Sequence, residues 1–178
     1  MSWRDTGAGE LRAEHVGNQS TVAGWVARRR DHGGLIFVDL RDQTGVVQLV
    51  INPERSPDAA ATAHDIRNEF VLRATGEVVA RAPEAVNSKL PTGEVEVQVD
   101  ELEVLSRSTP LPFQLDEENV DETLRYRYRW LDLRRERLQR NIRTRAELVS
   151  IIRQEMEAAG FIDIETPIMA KPTPEGAR

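Results

Sequence analysis

The sequence predicts a small five-stranded β-barrel with one helix, followed by a connector and the first helix-strand unit of a second, α+β domain. Three observations predict it. Alternating apolar segments separated by turn residues fill positions 20 to 106; one alanine-rich segment interrupts them after the third; and helical periodicity takes over from Glu136.

Ser20 to Arg30 (STVAGWVARRR) places Val22, Gly24 and Val26 on one side, with the glycine where a barrel strand must coil. His32-Gly33-Gly34 turns the chain into Leu35 to Arg41 (LIFVDLR), and Gly45 turns it again into Val46 to Ile51 (VVQLVI), so the first three strands form a meander. Asp58 to Asn68 (DAAATAHDIRN) opens after Pro57 as a helix does. Phe70 to Arg81 and Glu94 to Leu105 alternate again, joined by a loop from Ala82 to Gly93. The order β-β-β-α-β-β is that of the OB-fold, an all-β Greek-key barrel that receives oligonucleotides on its second and third strands.

The texture changes after Ser106. Pro110 and Pro112 hold an extended connector, and Asp116 to Glu122 is acidic. From Glu136, the residues Leu138, Ile142, Ala146, Val149, Ile152 and Met156 recur every three or four positions, and Gly160 stands where a C-cap glycine belongs. Phe161 to Glu165 then alternates as a strand and stops at Thr166-Pro167. The expected domains are therefore 1–107 for the barrel, 108–135 for the hinge and 136–178 for the opening of the second domain.

Composition narrows the function classes. No apolar run approaches the ~20 residues of a membrane span, and the first residues lack the basic and apolar regions of a secretory signal, so a cytoplasmic protein is expected. With no cysteine in 178 residues there is no thiolate for zinc or nucleophilic catalysis. A net charge of -6 argues against bulk attraction for phosphate, so any nucleic-acid site must be local. Charge is nevertheless segregated: ten carboxylates and one arginine lie between Glu94 and Glu122, nine arginines and two acids between Arg125 and Arg145. No phosphate-binding glycine loop or dinucleotide fingerprint occurs.

The chemistry-bearing set is Arg28-Arg29-Arg30 at the end of the first strand, Phe37 on the second and Gln48 on the third. Guanidinium groups suit phosphate, an aromatic face suits a splayed base, and an amide can read a base edge. Taken singly, Phe37 would be an ordinary packing residue and Gln48 a polar residue on an exposed strand face.

Six segments in order, GWVARRRDHGGLIFVDLRDQTGVVQLV, TGEVEV, PLPFQLDE, RYRYRWLDLRR, GFIDIETPIM and TPEGAR, resemble bacterial aspartyl-tRNA synthetases over essentially the whole chain. Lysyl- and asparaginyl-tRNA synthetases share the barrel and the helix-strand-proline element but diverge around LDLRR and TPEGAR. The resemblance implies a class II synthetase: an N-terminal OB-fold that binds the tRNA anticodon, then a hinge and an α+β catalytic domain. It implies that Arg30, Phe37 and Gln48 contact the anticodon, Phe37 by stacking, with Arg81, Asn87 and Glu96 adding contacts. Some members carry an asparagine where this chain has Ala85, and that contact is missing here.

The same resemblance makes Arg137 to Pro167 motif 1, the element through which class II synthetases form homodimers, with Pro167 as its signature. It makes TPEGAR the loop that closes over L-aspartate, Glu175 facing the substrate's ammonium group. Motifs 2 and 3, which hold ATP and Mg2+ while aspartyl-adenylate forms, have no counterpart up to Arg178. The 178 residues are thus expected to be a catalytically inactive part of an aspartate-tRNA ligase. The competing reading is a stand-alone OB-fold nucleic-acid-binding module. Family members restricted to the aspartate tRNA tend to have leucine at the position of His32, whereas those that also charge the asparagine tRNA often have histidine. His32 therefore points to a non-discriminating enzyme, against the plain alternative of an exposed turn residue.

Overall fold

β-Branched residues alternating with polar ones leave one face of each segment to be buried, and the chain meets that demand by rolling five strands into a closed barrel. The strands are β1 (Gln19–His32), β2 (Leu35–Arg41), β3 (Val46–Ile51), β4 (Val71–Ala80) and β5 (Val95–Ser106), with helix α1 (Pro57–His64) between β3 and β4. Their order around the barrel is β1-β2-β3-β5-β4, closing back onto β1. Every pairing is antiparallel except β3 with β5, where Leu49 aligns with Val97 and Val50 with Gln98. The computed structural model describes residues 3–169, and the chain divides into two compact units, Met1–Leu111 and Pro112–Arg178.

Val22, Val26, Val38, Leu40, Val47, Leu49, Leu72, Val78, Val97 and Val99 point inward and are fully buried. Helix α1 adds Ala59 and Ala63 to that core, and Ile66 follows it in. The helix is shorter than the expected 58–68, ending at His64 with Asp65 as its C-cap. Gly24 is required by close approach: a Cβ there would lie 2.3 Å from the Arg41 carbonyl oxygen. Gly33 and Gly34, both at positive φ (60° and 86°), make the two-residue hairpin that joins β1 to β2.

The segment before β1 is tied to the barrel through Asp42. Its carboxylate accepts from the amides of Ala8 (3.0 Å) and Thr44 (2.7 Å) and from the Thr44 hydroxyl (2.6 Å), and it pairs with Arg4. Burial pushes the Asp42 carboxyl up, but these donors and the Arg4 cation outweigh it and hold the group below the ordinary carboxylate value.

The second unit differs from the sequence reading in two places. The connector is not extended throughout: it contains α2 (Glu122–Arg127) and α3 (Arg129–Asp132). Asp121 caps α2 by accepting from the Leu124 amide at 3.1 Å. Asp132 is fully buried and accepts from Arg125 (3.0 Å), Arg129 (2.6 Å) and Arg135 (3.5 Å), which fastens this part of the connector. The second difference is at 161–165, where no strand is formed among the described residues, because an extended segment becomes a strand only when a ladder partner takes up its amides and carbonyls.

Helix α4 (Glu136–Ala158) has the expected extent and ends in a Schellman motif. Gly160 has a φ of 88°, its amide donates to Glu157 (2.9 Å), and the Phe161 amide donates to Met156 (3.0 Å). Its apolar stripe, including Ile142, Val149, Ile152 and Met156, is exposed.

Two outcomes follow for the barrel. Leu49→Ala should lower unfolding free energy by about 2–5 kcal/mol in a denaturant melt, since it opens a cavity on the closing strand. Because the carboxyl of Asp42 is depressed in the folded state, its contribution is complete above the unfolded value of 3.8 and is lost as pH falls through the lower folded one. Acid titration of Asp42→Asn should therefore show a shallower loss of stability below about pH 5 than the parent chain.

Candidate nucleic-acid interface

Alternation decides which side chains leave the core. On β2 the inward residues are Ile36, Val38 and Leu40, so Leu35, Phe37 and Asp39 face outward; on β3, Val47 and Leu49 are inward and Gln48 is outward. A bulge at Ala27 shifts the register of β1 by one, setting Arg28 opposite Asp39 and Arg30 opposite Phe37. Across the next pairing Asp39 lies opposite Gln48. The parallel contact of β3 with β5 then brings Glu96 beside Gln48. Phe37 is half-buried on this outer surface rather than in the core.

These outward side chains form one continuous chain of polar contacts. Arg30 Nη2 donates to Asp39 Oδ1 (2.6 Å) and to Gln48 Oε1 (3.2 Å). Gln48 Nε2 donates to Glu96 Oε2 (2.9 Å), and the same carboxylate oxygen stands 3.8 Å from Arg81 Nε. Arg81 begins the loop just after β4 and is buried, its side chain only 4% exposed. Its Nε donates to the Val95 carbonyl (2.9 Å), while Nη2 is buried with no hydrogen-bond partner. Burial lowers the pKa of Arg81 from the usual arginine value, opposed by the carboxylates of Glu96 and Asp39. A buried guanidinium nitrogen without a partner is a costly donor held ready for an acceptor.

The remaining expected residues are placed differently. Arg29 has inward parity and leaves the proposed phosphate-facing set: its Nε donates to the Ala63 carbonyl (2.9 Å) at the end of α1, and Nη1 pairs with Asp31 (2.9 Å). His32 is the last residue of β1 and is exposed beside the Gly33-Gly34 turn. Asn87 lies in the loop between β4 and β5, where its side-chain oxygen accepts from the Lys89 amide (3.1 Å) and closes an Asx turn. Pro167 is exposed in the extended tail, and Glu175 lies outside the described residues. Asp39 was not singled out from sequence. The signal for it was parity, since LIFVDLR puts Asp39 on the same strand face as Phe37.

Among the described residues no group of three His, Asp or Glu side chains could hold a metal ion, and no helix is long and apolar enough to cross a membrane.

Comparison with known proteins places both units. Residues 20–105 match the OB-fold nucleic acid binding domain family, and residues 121–178 match the class II tRNA synthetases of the D, K and N type. An aspartate-tRNA(Asp/Asn) ligase of Acaryochloris marina is 51% identical over 174 residues, covering 95% of this chain and 29% of that protein. The enzyme of the same name from Magnetococcus marinus is 48% identical over 169 residues, covering 95% and 28%. The structure of asparaginyl-tRNA synthetase from Pyrococcus horikoshii with asparaginyl-adenylate superposes with a TM-score of 0.80 at 26% identity, over 92% of this chain and 36% of that one. This chain thus spans under a third of the length of the curated relatives named here. Its barrel is thus matched by the OB-fold nucleic acid binding family and residues 121–178 by the class II synthetases of the D, K and N type, and over 95% of its length the chain is similar to aspartate-tRNA(Asp/Asn) ligases.

Proposed function

We propose that this chain supplies anticodon recognition to an aspartate-tRNA ligase, an enzyme that joins L-aspartate to tRNA through aspartyl-adenylate. One observation carries the reading: Arg30, Phe37, Gln48, Glu96 and Arg81, five residues scattered over four strands and a loop, meet on one outer face of the barrel. In this reading Phe37 stacks on a splayed base, Gln48 and Glu96 offer hydrogen bonds to base edges, and Arg30 and Arg81 offer donors to phosphate or base oxygens. Asn87 presents the β4–β5 loop to the same RNA. The relatives' names support the tRNA as ligand.

The exposed stripe of α4, with Pro167 beyond it, serves subunit pairing in the complete enzyme, and Glu175 serves the aspartate ammonium group. Activation by ATP and Mg2+ is assigned to motifs 2 and 3 of the complete enzyme.

Binding of an anticodon stem-loop by this chain, followed by fluorescence anisotropy, tests the assignment. Phe37→Ala should weaken it by about 1–3 kcal/mol, the cost of one lost base-aromatic stack. Undiminished affinity would make Phe37 a packing residue only. Arg81→Met should separate function from fold: replacing a poorly satisfied buried cation by an apolar side chain of similar length should cost the barrel under about 1 kcal/mol while weakening the stem-loop complex.

The ligase is further read as non-discriminating, serving the tRNAs for both aspartate and asparagine, as the relatives' names state of them. The two anticodons differ only in their last base, so one contact worth about 1–3 kcal/mol decides between them. His32 is the residue assigned to that decision. The parent chain should bind the two stem-loops with similar affinity, and His32→Leu should open a gap in favour of the aspartate loop. A strong preference in the parent, unaltered by the substitution, would refute the assignment.

A further inference from the structure

Asp39 does not feature in the recognition set above, yet it stands at one end of the polar chain that orients Gln48. An amide can be turned either way round, and its neighbours decide which. Arg30 can only donate and Glu96, as a carboxylate, can only accept. With Arg30 Nη2 at 3.2 Å and Glu96 Oε2 at 2.9 Å, the Gln48 oxygen must face Arg30 and its nitrogen must face Glu96. The reverse arrangement would set donor against donor and acceptor against acceptor. One hydrogen of Nε2 and one lone pair of Oε1 are left over, a donor-acceptor pair of fixed sense.

Arg30 itself is a long side chain with much of its surface in solvent, 42% exposed, and would not hold that position by packing. What holds it is Asp39, at 2.6 Å from the same Nη2 that donates to Gln48. The pair is too exposed to add much to stability, so its worth lies in geometry. Asp39 also lies opposite Arg28 in register and acts on Arg81 through its charge, so with Glu96 it is one of two carboxylates among three arginines on this face, and its removal would leave the face more cationic.

We propose that Asp39 is a positioning residue for anticodon reading: by anchoring Arg30 it fixes which way the Gln48 amide faces, and by its charge it limits sequence-independent attraction of the RNA backbone. The proposal rests on the anticodon-binding reading given above. It makes the two effects of removing Asp39 run in opposite directions, which loss of structure would not do. Freed from the carboxylate, the arginines attract any phosphate chain more strongly, while the amide loses its fixed sense and tells bases apart less well.

The experiment measures binding of this chain to the anticodon stem-loop and to loops with one anticodon base changed, across a range of salt. In Asp39→Ala, discrimination between the loops should fall about tenfold, the order of one lost bidentate base contact. Affinity for a loop of unrelated sequence should rise at low salt, and the slope of log affinity against log salt should steepen by about 0.7, one further phosphate contact to a single strand. Asp39→Asn, which keeps an acceptor oxygen in place, should retain most of the discrimination while showing the steeper slope. Side-chain amide NMR of the free protein gives a readout without RNA: the Gln48 NH2 resonances should shift and lose dispersion in the alanine variant and stay near their parent positions in the asparagine one. Retained discrimination in Asp39→Ala, or affinity for all loops falling in parallel, would overturn the positioning role alone. A parent chain with no preference among the loops would overturn the anticodon reading and this proposal with it.

Discussion

The parallel contact between β3 and β5, Leu49 with Val97 and Val50 with Gln98, is only two residue pairs long, and the barrel closes through it. Both inward members, Leu49 and Val97, are fully buried, so register is fixed from inside by the core. Once it is fixed, parity carries the result to the outer surface. Gln48 must emerge beside Glu96, and a slip of one residue on either strand would turn one of them inward and leave the other without a partner. The outer polar face is therefore a consequence of hydrophobic closure rather than a separate construction. No single strand contains it.

Inside and outside obey different economies. The core consists of aliphatic side chains and Phe70, with no polar side-chain atoms to satisfy, and stability resides there. On the outer face, exposed contacts such as Arg30 with Asp39 contribute little to folding, and the partly buried Arg81 leaves Nη2 without an acceptor. Replacing Arg81 with an apolar residue of similar length would cost the fold little. On the anticodon reading proposed above, phosphate or base oxygens of the RNA would supply that acceptor.

Much of this was legible in the sequence because strand parity is a local property. The alternation of LIFVDLR and VVQLVI defined the strands, and the glycines at 33 and 34 fixed the hairpin between β1 and β2. What was not legible depended on non-local facts. The bulge at Ala27 shows only in the pairing with β2, and it is what turns Arg28 and Arg30 outward and Arg29 inward. The grip of Asp39 on Arg30 needs the register of two strands at once. The connector helices were missed although Asp121 had the form of an N-cap, because the prolines ahead of them suggested an extended path; their fastening by buried Asp132 to three arginines emerges only in three dimensions. At 161–165 the opposite error arose: alternation was real, but a strand also needs a neighbour.

If one face of the barrel, and no other, receives the anticodon, binding must register on that face alone. The direct measurement is a two-dimensional NMR titration of the isotopically labelled chain with an anticodon stem-loop, following backbone and side-chain resonances together. Shifts should gather at Arg30, Phe37, Asp39, Gln48, Arg81 and Glu96. Little should change at the cluster in which Arg55, in the turn before α1, pairs with Asp100 of β5 and Glu77 of β4. Shifts centred on that second cluster, with Phe37 and Gln48 unmoved, would contradict the anticodon reading.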